Sequence, residues 1–118
     1  VSTAQDITKL VAEAMKHVEI TDAVRRPFYR FEPKNKAGVR TAQTTNVLLK
    51  SFVNKDPYQV LGGKTGFTNE AGYCLSVIVD GPNPADNVIV VLLGADSKED
   101  RFQEVKGLVD WTYENYRW

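Results

Sequence analysis

The chain has 118 residues, of which 42% are hydrophobic, so its length and composition are those of one globular domain or part of one. Its 15 lysines and arginines equal its 15 aspartates and glutamates, which excludes the strong positive field of proteins that gather nucleic acid or coat an anionic membrane. The longest apolar run, from Val88 to Leu93, is too short to cross a membrane, and the first residues have a helix pattern rather than that of a secretion signal.

The first predicted element is an amphipathic helix over residues 3–16. Ser2 and Gln5 have the spacing of a capping box at its start. Apolar residues then recur on one helix face, at Ile7, Leu10, Val11, Ala14 and Met15. Lys16 and His17 fall in the last turn, where a positive side chain meets the negative end of the helix dipole. We therefore interpret His17 as a helix-end residue and not as a catalytic base.

A hairpin is predicted after the first helix. The helical pattern loosens from Ile20 and Pro27 breaks any helix, whereas residues 28–31 alternate as a strand does. Residues 33–38 supply a turn, and residues 39–43 form the return strand. This region contains the cations Arg25, Arg26, Arg30, Lys34, Lys36 and Arg40. Acidic neighbours and the neutral total favour solvated faces, so we predict no nucleic-acid partner.

The remaining residues predict three strands and a closing helix. A short apolar cluster of undefined type at residues 47–49 and a turn at residues 54–57 come first. The strands are predicted at residues 58–66, 73–79 and 88–93. Their short connections, including a turn at residues 81–84, indicate an antiparallel meander. A helix capped by Ser97 then extends to Tyr116 and lies across the sheet. The predicted fold class is α+β, an antiparallel sheet flanked by helices.

Cys74 and His17 are the only cysteine and the only histidine in the sequence. A lone cysteine excludes an internal disulfide, a zinc cluster and a CxxC redox pair. A lone histidine leaves no self-contained Ser-His-Asp or Cys-His site unless His17 itself serves. Since no base adjoins Cys74, we interpret it as a small buried hydrophobic residue.

The cluster with chemistry attached is Gly62-Gly63-Lys64-Thr65-Gly66. A phosphate-binding loop would need four residues between two glycines and a helix after Gly-Lys-Thr, whereas this cluster ends one strand and precedes others. The nucleotide interpretation therefore fails. Lys-Thr-Gly is also one of three elements found in penicillin-binding proteins and class A β-lactamases, beside Ser-x-x-Lys and Ser-Asp-Asn.

The neighbouring residues extend this short match to a family resemblance. The run from Gly63 to Leu75 resembles the serine D-Ala-D-Ala carboxypeptidases, which have Lys-Thr-Gly, an aromatic residue or histidine, Thr, two variable residues and Ala-Gly-Tyr before an apolar strand. Further family-like positions follow in order: Ser2-Thr3-Ala4 with Asp6, Thr45-Asn46 before Leu48-Leu49, the run Val90 to Ala95, Arg101 and Trp111. The resemblance implies part of the serine β-lactamase/DD-peptidase (transpeptidase-like) fold.

The resemblance also implies a binding site that uses neither metal nor cofactor. Lys64 and Thr65 would hold the terminal carboxylate of a peptidoglycan stem peptide ending in D-Ala-D-Ala, or that of a β-lactam, and ammonium and hydroxyl donors suit a carboxylate. Gly66 would let the peptide backbone approach as an added strand. The backbone N–H of Phe67 would be one of two oxyanion donors, the second belonging to a serine that this chain lacks.

The nucleophile motif of the family does not occur in the sequence. None of its serines has a lysine three residues later: Ser2, Ser51, Ser76 and Ser97. No Ser-x-Asn occurs either, and Thr44-Thr45-Asn46, which is similar, lies too near the triplet. We interpret Asn46 as a loop residue with a structural hydrogen bond. Residues 1–118 are therefore expected to be the C-terminal portion of a longer catalytic domain, inactive alone.

The whole enzyme is expected to remove D-Ala from stem peptides through a serine acyl-enzyme, outside the cytoplasmic membrane. The alternatives are a β-lactamase or transpeptidase of the same fold and a non-catalytic peptide-binding module. In the resembling family, the strand from Val88 to Leu93 has a second partner strand from the N-terminal segment. This edge is therefore expected to be open, and to pair with the missing N-terminal portion or with a second copy of the chain.

Overall fold

The computed structural model describes residues 1–81 and 87–117, which form three α-helices and two antiparallel sheets. The helices are α1 (Ala4–Ala14), α2 (Val18–Arg25) and α3 (Asp100–Asn115). The strands are β1 (Phe28–Phe31), β2 (Arg40–Gln43), β3 (Gln59–Thr68), β4 (Gly72–Asp80) and β5 (Val88–Ala95). Two 3₁₀-helical turns, Val47–Lys50 and Phe52–Asn54, connect β2 to β3. The predicted α+β class is confirmed.

The larger sheet is the predicted meander, in the order β3-β4-β5. β4 pairs antiparallel with both neighbours, so that Val77, for example, is opposite Gly63 on one side and Val90 on the other. The turn predicted at residues 81–84 includes residues 82–84, which lie outside the described residues. Because β4 is the central strand, its position determines where β3 and the Lys-Thr-Gly triplet lie.

The main core lies between this sheet and α3, as predicted for the closing helix. Its fully buried members include Leu75, Val77 and Val79 of β4 and Val105 and Val109 of α3. Burying each aliphatic side chain of this size stabilises the fold by about 1.5–3 kcal/mol. Alternation along β4 places these side chains on one face of the sheet. The sheet and α3 therefore form the stable base on which β3 is held.

Helices α1 and α2 pack against the strands less tightly than α3 does. Neither contains a fully buried residue, although both are amphipathic. Both reach Gly62 of β3, where an added Cβ would lie 2.6 Å from Val24 Cγ2 and 3.3 Å from Met15 Cε. Gly62 thus lacks a side chain at the point where the two helices reach the sheet.

The start of α1 differs from the predicted capping box by one residue. Thr3, not Ser2, is the N-cap: its Oγ1 accepts a hydrogen bond from the Asp6 N–H at 3.1 Å and donates to the Asp6 carboxylate at 2.8 Å. The carboxylate also lies in the first helical turn, where the helix dipole favours a negative charge. The pattern Thr-x-x-Asp therefore replaces the predicted Ser-x-x-Gln.

The prediction for His17 and the residues after it was wrong. α1 ends at Ala14, and His17 is instead the N-cap position of α2, whose first turn begins with its carbonyl oxygen accepting from the N–H groups of Ile20 and Thr21. Helix α2 has only eight residues, and an apolar pattern of that length does not distinguish a helix from a loop. Pro27 follows the helix rather than preventing it.

The predicted hairpin is confirmed as β1 and β2, which pair from Phe28 opposite Gln43 to Phe31 opposite Arg40. Every residue of both strands is exposed. The rings of Tyr29 and Phe31 stack at 6.2 Å, and the Arg26 guanidinium lies 5.8 Å from the Tyr29 ring. Stacked rings and cation–π contacts therefore stabilise the hairpin where a buried core does not.

The aromatic residues of α3 divide between packing and surface. Tyr113 packs at 5.2 Å on the Tyr58 ring and donates a hydrogen bond from its hydroxyl to the Val79 carbonyl at 2.9 Å, whereas Trp111 is exposed. Burial, together with the carboxylates of Asp110 and Glu114, raises the pKa of Tyr58 above its ordinary value. These contacts anchor the end of α3 to β4.

The outer edge of β5 has no strand partner in the part of the chain that the structure describes. This matches the expected open edge, and the run from Val88 to Leu93 contains neither charge nor proline to protect it.

No helix among residues 1–81 and 87–117 is long and apolar enough to span a membrane.

We predict that the isolated 118-residue chain forms dimers or larger species through this edge. Leu93→Lys should reduce the association, because the side chain is 42% exposed and its charge would interfere with strand pairing at little cost in packing. Val39→Lys is the matched control, since Val39 is 61% exposed and lies beside the hairpin. Light scattering measures the molar mass; a monomeric unsubstituted chain would contradict the prediction.

Candidate functional site

The Lys64-Thr65-Gly66 triplet lies within β3, at the edge of the sheet opposite β5. The strand was predicted to end at Gly66, but it continues to Thr68 because Phe67 and Thr68 still pair with Tyr73 and Gly72. Of the described strands only β4 pairs with β3. One side of the β3 backbone is therefore available to an added strand.

A groove of about 740 Å³ lies beside Gly63, Lys64 and Thr65 of β3. Its walls come from α2, from the base of the β1–β2 hairpin, from the loop after β2 and from β3. The residues that line it include Asp22, Arg26, Tyr29, Thr45, Lys64 and Thr65. Gly66 and Phe67 are not among its lining residues. The structure thus brings two of the four predicted site residues into one groove and places the other two farther along the same strand.

Lys64 is exposed and has no carboxylate partner in the described residues. Its ammonium donates to the carbonyl oxygen of Thr65 at 2.6 Å, and the one ion pair found among residues 1–81 and 87–117 is Lys16–Glu13. Asp22 and Glu19 also line the groove, so cationic and anionic groups both face it. An ammonium bonded only to a neutral carbonyl can take a carboxylate ligand and gain a charge-assisted hydrogen bond.

Thr65 bonds to Thr45, a residue that sequence reasoning did not assign to the site. The two hydroxyl oxygens are 2.6 Å apart, and either hydroxyl can be the donor. Only one hydrogen is used between them, so the hydroxyl that accepts keeps its own hydrogen for another acceptor. The pair therefore supplies one free O–H donor beside the Lys64 ammonium. The two threonines are 20 positions apart in the sequence, which explains why no local pattern shows the contact.

Asn46 has the structural role predicted for it. It is 2% exposed, and its Oδ1 accepts a hydrogen bond from the Leu48 N–H at 3.1 Å. Its amide lies against Gly63, where an added Cβ would be 2.8 Å from Asn46 Nδ2 and 2.9 Å from the Ser76 carbonyl oxygen. The Asn46 amide thus packs the loop that carries Thr45 against the strand that carries Thr65.

Gly66 and Phe67 continue the edge strand beyond the groove. A Cβ at Gly66 would meet only Cys74 Cβ, at an ordinary 3.8 Å, so packing within the chain does not require a glycine. The Phe67 ring is half exposed and packs on Tyr73 at 4.3 Å. Cys74 is half-buried rather than buried as predicted, because it follows the exposed tip of the β3–β4 turn.

The sequence model of the D-alanyl-D-alanine carboxypeptidase family, peptidase S11, matches residues 1–97. Together with the α+β fold and the edge-strand triplet, this match shows that the chain belongs to that family. The resemblance given by the sequence is confirmed. Among curated proteins, none matches the chain significantly.

Solved structures of this fold resemble the chain over nearly its whole length. The Streptomyces K15 DD-transpeptidase is 26% identical with a TM-score of 0.79, over 96% of this chain and 42% of that one. Penicillin-binding protein D2 from Listeria monocytogenes, solved in a cefotaxime-bound form, is 29% identical with a TM-score of 0.69, over 92% of this chain and 40% of that one.

The D-alanyl-D-alanine carboxypeptidase from Mycobacterium tuberculosis is 22% identical, with a TM-score of 0.76 over 98% of this chain and 41% of that one, and supports the fold alone. The chain spans about two fifths of the length of each of these proteins.

Replacement by alanine should affect the stability of the fold differently at Gly63 and at Gly66. In the protein that contains this chain, Gly63→Ala should lower the free energy of unfolding by about 1–3 kcal/mol, because the methyl group overlaps Asn46 and the Ser76 carbonyl. Gly66→Ala should leave it unchanged or raise it by up to about 1 kcal/mol, since the methyl group fits and the unfolded chain loses entropy. Denaturant unfolding followed by tryptophan fluorescence measures both, and equal losses would contradict the packing described.

Proposed function

We propose that residues 1–118 are the C-terminal portion of the catalytic domain of a serine-type D-Ala-D-Ala carboxypeptidase. This enzyme would remove the terminal D-Ala from peptidoglycan stem peptides through an acyl-enzyme, without metal or cofactor. The observation that carries the proposal is the placement of the Lys64 ammonium and the Thr65 hydroxyl on an edge strand beside one groove. Membership of the carboxypeptidase family supports the substrate class.

Lys64 and the Thr45–Thr65 pair would bind the carboxylate at the end of the stem peptide. The ammonium and the free hydroxyl hydrogen are donors, and a carboxylate is an acceptor that gains most from a charged donor. A β-lactam carries a carboxylate as well, so it would occupy the same donors. The cefotaxime-bound form of the Listeria relative is consistent with this proposal.

The free edge of β3 would pair with the backbone of the peptide as an added strand. Gly66 offers no side chain at that edge, and packing within the chain does not explain its absence. The Phe67 N–H would then be one of two donors to the oxyanion that forms when serine attacks the scissile carbonyl. The bond to the terminal D-Ala breaks, and water later releases the acyl group from the serine.

The serine, its lysine base and the second oxyanion donor would come from residues outside this chain. Peptidoglycan is the proposed substrate, so the enzyme would work outside the cytoplasmic membrane. The nearest alternative is a transpeptidase, which the 26% identity to the Streptomyces K15 DD-transpeptidase favours over a β-lactamase. Supplying a peptide amine together with substrate separates the two, because a transpeptidase forms the cross-linked product and a carboxypeptidase forms the free acid.

We predict that the isolated chain forms no covalent adduct with penicillin, because none of its serines has a lysine three residues later to act as its base. Intact-mass spectrometry after incubation should show the unmodified chain. An adduct on any serine would mean that the nucleophile lies within residues 1–118. It would also exclude the alternative of a non-catalytic peptide-binding module.

In the complete protein, we predict that Lys64→Ala raises the barrier to acylation by carboxylate-bearing substrates by about 2–5 kcal/mol, the cost of losing one partner of a close charge pair. The fold should survive, since the Lys64 side chain is exposed. Lys98→Ala, at an exposed position before α3, is the matched control and should leave acylation unchanged. If stopped-flow acylation rates of the two variants agree, Lys64 does not bind the carboxylate.

A further inference from the structure

Arg101, in the first turn of α3, is a buried cation that has no carboxylate partner among the residues the structure describes. The residue is 5% exposed, and no acidic side chain among residues 1–81 and 87–117 lies within 4.0 Å of its guanidinium. Its Nε has no hydrogen-bond partner in the same part of the chain. An unpaired buried charge costs stability, so the location of its remaining donors is informative.

The donors of Arg101 reach the two strands that frame the end of the site. Nη1 donates to the carbonyl oxygen of Gly66 at 3.2 Å and lies 3.5 Å from that of Cys74. The guanidinium carbon is 5.5 Å from the centroid of the Tyr73 ring and 4.8 Å from that of Phe102. These aromatic contacts hold the guanidinium in place and lower the cost of burying it.

The Gly66 carbonyl belongs to the same peptide group as the Phe67 N–H. In a trans peptide group these two bonds point in opposite directions. Arg101 contacts carbonyl groups of both β3 and β4, which places the Gly66 oxygen on the β4 side of its strand. The Phe67 N–H is therefore directed toward the free edge of β3. A charged donor on the carbonyl also polarises the peptide group and makes its N–H a stronger donor.

We propose that Arg101 is a positioning residue for the oxyanion site. Acting through the Gly66–Phe67 peptide group, it orients and polarises the N–H that stabilises the oxyanion. This inference rests on the proposed function, in which that N–H is an oxyanion donor. Arg101 is 5% exposed and does not line the groove beside Lys64 and Thr65, so its effect should belong to the acylation step and not to binding of the carboxylate.

If Arg101 served only to stabilise the fold, a folded variant without the guanidinium would acylate at the normal rate. Replacing a buried, incompletely paired cation with an apolar side chain of similar length is often neutral for stability. Arg101→Met should therefore fold, with the methionine packed between Tyr73 and Phe102. Removing an oxyanion donor outright slows catalysis by about 10²–10³-fold, and a weakened donor should cost less, about tenfold.

The test uses the complete protein, a β-lactam labelled with ¹³C at its reactive carbonyl, and Arg101→Met. The expected result is an acylation rate constant lower by about tenfold at saturating β-lactam, with unchanged affinity for the first complex. In the acyl-enzyme, the infrared band of the ester carbonyl should shift to higher wavenumber, because a weaker hydrogen bond polarises the carbonyl less. Val109→Ala, which empties a buried position on the same helix, is the matched control for lost stability and should leave the band in place.

An unchanged rate and band position in Arg101→Met, beside normal acylation of the unsubstituted protein, would overturn the role of Arg101 alone. A band shift of equal size in Val109→Ala would also overturn it, because general loosening of α3 would then be sufficient. Absence of acylation in the unsubstituted protein would contradict the proposed function and, with it, this inference. If Arg101→Met does not fold, Arg101→Lys is measured in the same way, and the same direction of shift is expected.

Discussion

The antiparallel pairing of β4 with both of its neighbours is the constraint on which the rest of the structure depends. β4 supplies Leu75, Val77 and Val79 to the core with α3. Its two edges pair with β3 and β5, and its other face lies towards the N-terminal helices. A one-residue slip would move every core side chain to the opposite face. The register that buries the core therefore also determines which atoms of β3 lie at the free edge and which lie near Arg101.

The site is held together by contacts between segments that are distant in sequence. The Asn46 amide, in the loop after β2, packs against Gly63. In the same loop, the hydroxyl oxygen of Thr45 lies 2.6 Å from that of Thr65. Arg101 lies 35 residues after Gly66 in the sequence and contacts the far end of the same strand through a hydrogen bond to the Gly66 carbonyl. Thr65, the middle residue of the triplet, thus has a hydroxyl partner, and Gly66, its last residue, has a cationic one. Both depend on loops and helices packing correctly around β3.

The sequence was most informative where the physics is local. Strands β3 to β5 and helix α3 follow from apolar runs and spacing, and Lys64-Thr65-Gly66 follows from a motif with family context. Helix α2 was missed because its eight residues, Val18–Arg25, give too short a pattern, and Pro27 suggested that no helix forms. Thr45 and Arg101 could be connected to the site only by structure, because their partners lie 20 and 35 residues away.

Gly63 and Gly66 are three residues apart, yet they are glycines for different reasons. At position 63 the neighbours within the chain leave no room for a methyl group, whereas at position 66 they do. In a cell, a change at position 63 would act on the amount of folded protein, because marginal stability sets abundance. Under the proposed function, in which the peptide pairs with the strand at Gly66, a change at position 66 would act on the activity of each folded molecule. Natural variation at the two positions would therefore be filtered by two separate kinds of selection, although both positions belong to one short motif.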